Sequence, residues 1–233
     1  MKKATLVLVI NLMSIPTLAA RDDIKGLGGN ESLMRKARAL DARNRKRVVQ
    51  KRAVDRYNRL ELSVGYGLFS GGDPYVSTSA LGVTSDFHIT PRWSLGVRYY
   101  DHRNELSSEG KRVFDEFDQA QRAGLITGSA PDVDYPDSTT LGVISFYPLY
   151  GKMNLFDQGV AQFDFYLLAG AGQMQLSSGS TETYTAGGGL GLWMSQHIAS
   201  RLEVRYQNYQ DEIFSGPRDQ DVVVTSFSLG FLL

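Results

Sequence analysis

The sequence predicts an all-β protein, an eight-stranded antiparallel transmembrane β-barrel that follows a basic, helical N-terminal arm in the periplasm. Three observations support this: a secretory leader, eight segments of alternating apolar and polar residues, and a composition rich in Gly and aromatic residues. The 233 residues include 24 Gly, 12 Tyr and 11 Phe but no Cys, which excludes disulfides and thiolate chemistry. The 25 Lys and Arg balance the 25 Asp and Glu, which argues against nucleic-acid binding through bulk charge.

Residues 1–20 have the three parts of a secretory leader. The basic pair Lys2 and Lys3 is followed by an apolar stretch and then by small residues around Ala19 that suit cleavage. Pro16 interrupts the apolar stretch, which disfavours a buried helix there. We therefore predict a signal peptide and a mature protein that leaves the cytoplasm.

The next segment, residues 21–57, is predicted to be a basic, partly helical periplasmic arm. Residues 31–59 hold 11 positive and 3 negative side chains, and Asn30 can cap a helix there. Such an arm would be solvated, or it would dock on anionic lipid, the cell wall or an acidic envelope protein. The basic side chains expected to make these contacts are Arg35, Lys36, Arg38, Arg43, Arg45, Lys46, Arg47, Lys51 and Arg52.

From residue 59 onward the hydrophobic pattern has a period of two, which predicts strands with one apolar and one polar face. Pro91 indicates a turn between the second and third runs, and a loss of phase after Val143 predicts a β-bulge. Barrel strands that cross a bilayer need about 9–11 residues, so residues 58–233 are assigned to a membrane barrel. A soluble sandwich is the alternative. The runs cover residues 60–68, 80–89, 93–99, 138–150, 162–172, 184–194, 201–207 and 223–233.

Charged side chains on the polar faces predict an ion-pair network inside the barrel. Eight strands leave an interior just wide enough for side chains, and charges there are stable only when they are paired. A small charge-selective channel is the alternative interpretation. The predicted network consists of Glu61, Arg98, Asp164, Glu203 and Arg205.

The long connection at residues 103–136 is the predicted working surface. With both chain ends in the periplasm, an even number of strands places this connection outside the cell, and loops of such length are usually functional or disordered. The sequence favours a helix capped by Ser107 or Ser108. The loop would either cap the barrel mouth or bind a partner at the cell surface. The contact residues expected are Val113, Phe114, Phe117 and Tyr135.

The three histidines, His88, His102 and His197, are the candidates for chemistry. His88 lies two residues from Asp86, and His102 follows Asp101. Both histidines lie near the ends of predicted strands and therefore at the barrel rims, where a histidine is expected to be solvated. No motif joins either one to a serine nucleophile, and no cluster has the spacing of a metal site. We therefore predict no catalytic residue, metal or cofactor; a lipid-modifying enzyme is the least favoured alternative.

Three motifs in the barrel region carry a resemblance to a known family. Arg59–Leu62 fits an R-x-E-L first strand, Asp164–Gly172 a D-x-Y-x-x-x-G-A-G strand, and Arg201–Arg205 an R-L-x-x-R strand. Residues 48–233 are similar to the outer-membrane beta-barrel domain family of myxobacteria and Bdellovibrio-type bacteria, which are small barrels of the OmpA or OmpW kind. The resemblance implies an integral protein of a Gram-negative outer membrane, in contact with its lipid. It implies a structural or interaction role and no particular activity.

Overall fold

The structure, a computed structural model, describes residues 54–125, 131–155 and 159–233. The predicted signal peptide and the predicted arm up to residue 53 lie outside the described residues, and so do all nine basic side chains expected to make contacts there. Residues 126–130 of the predicted outer loop also lie outside them.

Eight strands form one closed antiparallel sheet, which confirms the predicted fold class. Each strand pairs with the next along the chain, and β8 pairs back on β1 to close the barrel. One helix, α1, lies between β3 and β4. The bounds are β1 Arg59–Gly71, β2 Val76–Thr90, β3 Trp93–Leu106, α1 Ser108–Arg122, β4 Pro136–Leu155, β5 Gly159–Leu176, β6 Ser180–Trp193, β7 Ile198–Ile213 and β8 Gly216–Leu232.

The barrel wall has an apolar outer face and a mainly polar inner face, because successive side chains on a strand point to opposite sides. On β3, Val97 is 57% exposed, while Ser94 and Arg98 are buried inside. The outward apolar positions form a band around the barrel, which on β2 extends from Leu81 to Ile89. A band of this height matches the strand length that crosses a bilayer.

The strands continue beyond this apolar band toward the end that carries α1. On β3 the outward side chains become polar from Asp101 onward and include Arg103 and Glu105. The strands therefore have 13–20 residues, more than a bilayer crossing requires. As a result, the predicted loop at 103–136 is shorter in the structure, because β3 ends at Leu106 and β4 begins at Pro136.

The predicted bulge is confirmed in β4, where the pairing with β5 shifts between Phe146 and Leu149. The shift changes which side chains face inward. Phe146 packs against Trp93, with ring centroids 4.6 Å apart. Tyr147 lies inside the barrel and is 2% exposed. Tyr147 keeps the inward phase of Ser145, so the bulge affects the strand after it, where Leu149 faces outward.

The helix predicted in the long connection is also confirmed, and its cap is Ser107 rather than Ser108. The Ser107 side chain accepts a hydrogen bond from the backbone N–H of Gly110 at 3.0 Å. Gly110 lies so close to the backbone of Tyr75 that a Cβ would overlap it. The start of α1 is therefore packed against the β1–β2 connection.

Candidate functional site

The inner face of the barrel brings all five charged residues of the predicted network into a closed interior. We call the end where the chain enters β1 the entry mouth, and the end near α1 the far mouth. The interior side chains form successive layers between these two mouths.

The layer at the entry mouth is centred on Arg201. Its Nε and Nη2 each donate to a carboxylate oxygen of Glu61 at 2.6 Å, and its Nη1 lies 3.3 Å from Asp164 Oδ1. His88 Nε2 is 3.0 Å from the second oxygen of Glu61, and the indole of Trp193 donates to Asp164 Oδ2 at 2.6 Å. Both carboxylates are thus paired and hydrogen-bonded, which is the condition for keeping buried charge.

A second arginine reaches this layer from outside the sheet. Arg56 belongs to the segment before β1, yet it is 1% exposed. Its Nη1 donates to Asp164 Oδ2 at 3.0 Å and its Nη2 to the carbonyl of Pro91 at 3.0 Å. Residues 54–57, predicted as the end of a periplasmic arm, therefore pack with the barrel.

The next layer joins the two arginines of the prediction to one carboxylate, Glu203. Arg98 forms an ion pair with Glu203, and Arg205 Nη1 lies 3.2 Å from Glu203 Oε1. Tyr166 donates to Glu203 Oε2 at 2.9 Å, and Arg205 Nη1 donates to the hydroxyl of Tyr100 at 2.7 Å. A cavity of about 20 Å³ lies beside this layer, enough for one water molecule.

An apolar cluster lies above the charged layers, together with buried polar side chains that include His102 and Gln207. At the far mouth, Arg218 Nη2 then bridges Asp73 and Asp211, at 2.6 Å from each. Asp134 accepts hydrogen bonds from the backbone of Ser178 at 3.0 Å and Glu212 at 3.2 Å. The interior is thus closed at the far mouth as well. The apolar layer consists of Met174, Leu176, Tyr209, Val222 and Val224, with Phe69 packed against it.

Two partners of the charged layers, Arg201 and Arg56, are missing from the sequence prediction. Arg201 lies two residues before Glu203 on the same face of β7, so the period of two contained the signal for it. Arg56 precedes the first alternating run, so no strand pattern indicated its inward position.

The expectation that His88 and His102 are solvated at the rims is wrong. His88 is 0% exposed, because Glu61 and the Tyr147 ring pack against it, and His102 is 8% exposed, because β3 continues to Leu106. His102 Nε2 lies 2.8 Å from the hydroxyl of Thr139. The Nδ1 atoms of both histidines are buried and have no hydrogen-bond partner among the described residues.

The predicted outer contact residues lie on two different parts of the connection. Val113, Phe114 and Phe117 are half-buried on α1, whereas Tyr135 accepts a hydrogen bond from the Ser177 backbone through its carbonyl at 2.9 Å. The return segment therefore contributes to closing the far mouth, and α1 carries the half-buried apolar side chains.

Ion pairs lie along the exposed face of α1. Arg112 pairs with Glu109 at 2.5 Å and with Glu116 at 2.7 Å. The hydrogen bonds from Arg112 lower the pKa of the Glu109 carboxyl. These are exposed pairs one turn apart, so each contributes little to stability.

The outer wall of β6, β7 and β8 has a polar groove at its far end. The groove has a volume of about 420 Å³ and includes Glu182, Tyr184, Asn208, Gln210 and Asp219. Tyr184 donates to Glu182 at 3.0 Å, and Gln210 donates to Asp219 at 2.8 Å. This part of the wall is suited to contact with polar groups rather than with acyl chains.

No helix within residues 54–125, 131–155 and 159–233 is long and apolar enough to cross a membrane. The described part of the chain has no group of three His, Asp or Glu side chains that could share a metal ion.

The closed sheet, the apolar outer band and the paired charges inside define the class of this protein: a small eight-stranded β-barrel of the outer-membrane type. No family model and no curated protein matches the sequence. The resemblance to the myxobacterial and Bdellovibrio-type family stays a prediction.

Comparison with solved structures returns bacterial barrel and outer-membrane proteins at low TM-scores. OprG from Pseudomonas aeruginosa has a TM-score of 0.43 at 12% identity, over 77% of this chain and 98% of that one. The N-terminal β-barrel domain of OprF from the same organism has a TM-score of 0.40 at 10% identity, over 76% and 98%. Ail, the attachment invasion locus protein of Yersinia pestis, has a TM-score of 0.38 at 12% identity, over 76% of this chain and 99% of that one. These likenesses are too distant to transfer a function.

Proposed function

We propose that this protein is an integral barrel of the bacterial outer membrane that serves as a structural or interaction component of the cell envelope, without catalysis or a cofactor. The observation that carries the proposal is the filled interior inside an apolar wall. Two charged layers, an apolar layer and the Arg218 bridge follow one another between the mouths. A barrel built in this way meets lipid with its outside and leaves its loops for contacts.

The filled interior favours a closed lumen over the alternative of a charge-selective channel. Ion passage would require two ion pairs to separate, Arg98 with Glu203 and Arg201 with Glu61. Their separation would leave buried charges uncompensated. It would also require a path through the layer around Met174 and Tyr209, where buried side chains pack against one another.

We expect the wild-type protein to show no steady ionic conductance in planar bilayers. The Arg98→Ala variant is expected to stay silent as well, because the apolar layer around Met174 remains in place. The measurement is single-channel recording in molar potassium chloride, with a known porin as the positive control. Steady conductance in the wild type would establish the channel instead.

The burial of His88 and His102 favours the non-catalytic role over the alternative of a lipid-modifying enzyme. Both side chains lie inside the barrel, away from the lipid that such an enzyme would attack.

Contacts with partners are proposed for α1 on the outer side of the membrane and for the basic arm on the periplasmic side. Phe114 and Phe117 lie half-buried on α1, where a partner could cover them. The arm would meet anionic lipid, the cell wall or an acidic envelope protein, a prediction that concerns residues outside the described ones.

The orientation can be tested with single cysteines, because the chain contains none. We expect Gln119→Cys, on the exposed face of α1, to react with a membrane-impermeant maleimide on intact cells. Tyr57→Cys is the matched control, since Tyr57 is 63% exposed at the entry mouth. It should react only after the outer membrane is permeabilised. Equal labelling of both positions on intact cells would contradict the proposed orientation.

A further inference from the structure

The entry mouth contains a pocket that is filled by a single arginine side chain, that of Arg56. We call it the guanidinium pocket. Its walls are the Asp164 carboxylate, the Pro91 carbonyl and the rings of Tyr147 and Trp193. The guanidinium carbon lies 4.1 Å from the Tyr147 ring centroid and 5.9 Å from that of Trp193.

The geometry of this pocket suits a guanidinium rather than an ammonium group. Two nitrogens of Arg56 donate to two separate acceptors, Asp164 Oδ2 and the Pro91 carbonyl, each at 3.0 Å. A planar guanidinium satisfies both and still stacks on an aromatic ring. An ammonium group is a compact point charge that lacks this fork of donors.

A short segment outside the sheet delivers the occupant. Residues 54–58 precede β1, and the backbone at Asn58 has φ of 55°, a left-handed turn that starts the strand. Apart from Arg56, the buried anchor of this segment is Val54, which packs with Trp193 and Leu232. Asp55 between them and Tyr57 after them are exposed. The buried side chains of Val54 and Arg56 therefore anchor the segment inside the mouth.

The strands hold the pocket walls independently of this segment. Asp164 keeps its contact with Arg201 Nη1 at 3.3 Å and its hydrogen bond from Trp193 at 2.6 Å. The Tyr147 ring is packed against those of His88 and Tyr166, with centroids 5.5 and 5.4 Å away. We therefore expect the pocket walls, one carboxylate and two aromatic rings, to stay in place when Arg56 is removed, with the pocket open to the entry mouth.

We propose that this pocket is a binding site for the guanidinium group of arginine, that Arg56 occupies it as an internal ligand, and that residues 54–58 form a latch. An arginine side chain of another protein would displace the latch and take the same contacts. The periplasmic setting of that partner rests on the proposed function, whereas the binding test below uses purified protein and does not depend on it.

The test is chemical rescue of Arg56→Ala, with the full chain folded in detergent. The background carries Trp93→Phe, so that the remaining tryptophan, Trp193, reports on the pocket. Methylguanidinium is expected to change the Trp193 emission saturably and to raise the melting temperature of the variant. Methylammonium should bind weaker by about tenfold or more, because it lacks one charge-assisted hydrogen bond.

The same experiment extends to an arginine side chain with N-acetylarginine amide as the probe. This probe should bind Arg56→Ala, and it should bind the wild type more weakly, because the tethered Arg56 competes at a high effective concentration. Equal binding to both proteins would overturn the latch.

The matched control is Arg59→Ala, three residues further along the chain. The guanidinium of Arg59 donates to the backbone carbonyls of Leu232, Leu233 and Asp55, at 3.2, 2.8 and 3.1 Å. These contacts form no aromatic pocket, and Arg56 still fills its own pocket in this variant, so the loss of Arg59 should create no response to methylguanidinium. Folding is checked by heat-modifiable migration on gels. If Arg56→Ala does not fold, Arg56→Lys replaces it, and methylguanidinium should displace the lysine.

With folded protein, three further results would overturn the binding site itself. One is the absence of a saturable change in Trp193 emission with methylguanidinium. The second is an equal response to methylammonium, and the third is the same response in Arg59→Ala.

Discussion

Replacing Arg201 with alanine is expected to lower the free energy of unfolding by about 3–5 kcal/mol, the usual cost of removing one partner from a buried ion pair. Arg201 is 6% exposed and is bound to Glu61 through two hydrogen bonds of 2.6 Å and to Asp164 at 3.3 Å. Among the described residues, Glu61 would retain only His88 as a side-chain partner, so its buried charge would be poorly compensated. The measurement is urea unfolding in lipid vesicles, followed by tryptophan emission.

The control for this prediction is Arg103→Ala, which removes an outward-facing, exposed arginine from β3. Its effect should stay within about 0.5 kcal/mol, as for most surface substitutions. Equal effects of the two substitutions would mean that Arg201 contributes no more than an exposed charge. That result would contradict the ion pairing described for the interior layer at the entry mouth.

Placing an arginine in the apolar band is expected to cost about 2–4 kcal/mol, the range for a basic residue facing lipid at the bilayer midplane. Val97 is the position to change, because it lies midway between Trp93 and Asp101 and is 57% exposed. Val97→Arg would hold its charge among acyl chains. The free energy of unfolding is again measured in lipid vesicles.

The matched substitution is Gln175→Arg, at an exposed position beyond the apolar band on β5. There the cost should fall to about 0–1 kcal/mol, as it does near the interface. Similar small costs at Val97 and Gln175 would place both positions in water and would contradict a lipid-facing barrel wall.

The strands and their faces could be predicted because they depend on local patterns. On β3 the alternation from Trp93 to Tyr99 identified the outward face, and the structure has the same alternation. The bulge in β4 was visible as a break in that period, and the cap of α1 as a serine before a helical stretch. Each of these features involves residues close together in the chain.

The pairing of the interior charges depends on distant parts of the chain. Glu61 and Arg201 are 140 residues apart, and Arg98 and Glu203 are 105 residues apart. They meet because β8 closes on β1 and because the register of each strand pair sets the height of every side chain. A period of two identifies the inward face but contains no information on these heights.

By itself, the sequence determined where the strands run, which face of each is polar and where the helix begins, because these follow from neighbouring residues. The tertiary structure alone decided that both Arg98 and Arg205 meet Glu203, and that Arg56 lies inside the barrel. A basic residue in a charged stretch is typical of a solvated arm. Burying Arg56 became favourable only where the closed barrel placed Asp164, the Pro91 carbonyl and the Tyr147 ring around one point, so that the desolvated charge is fully compensated.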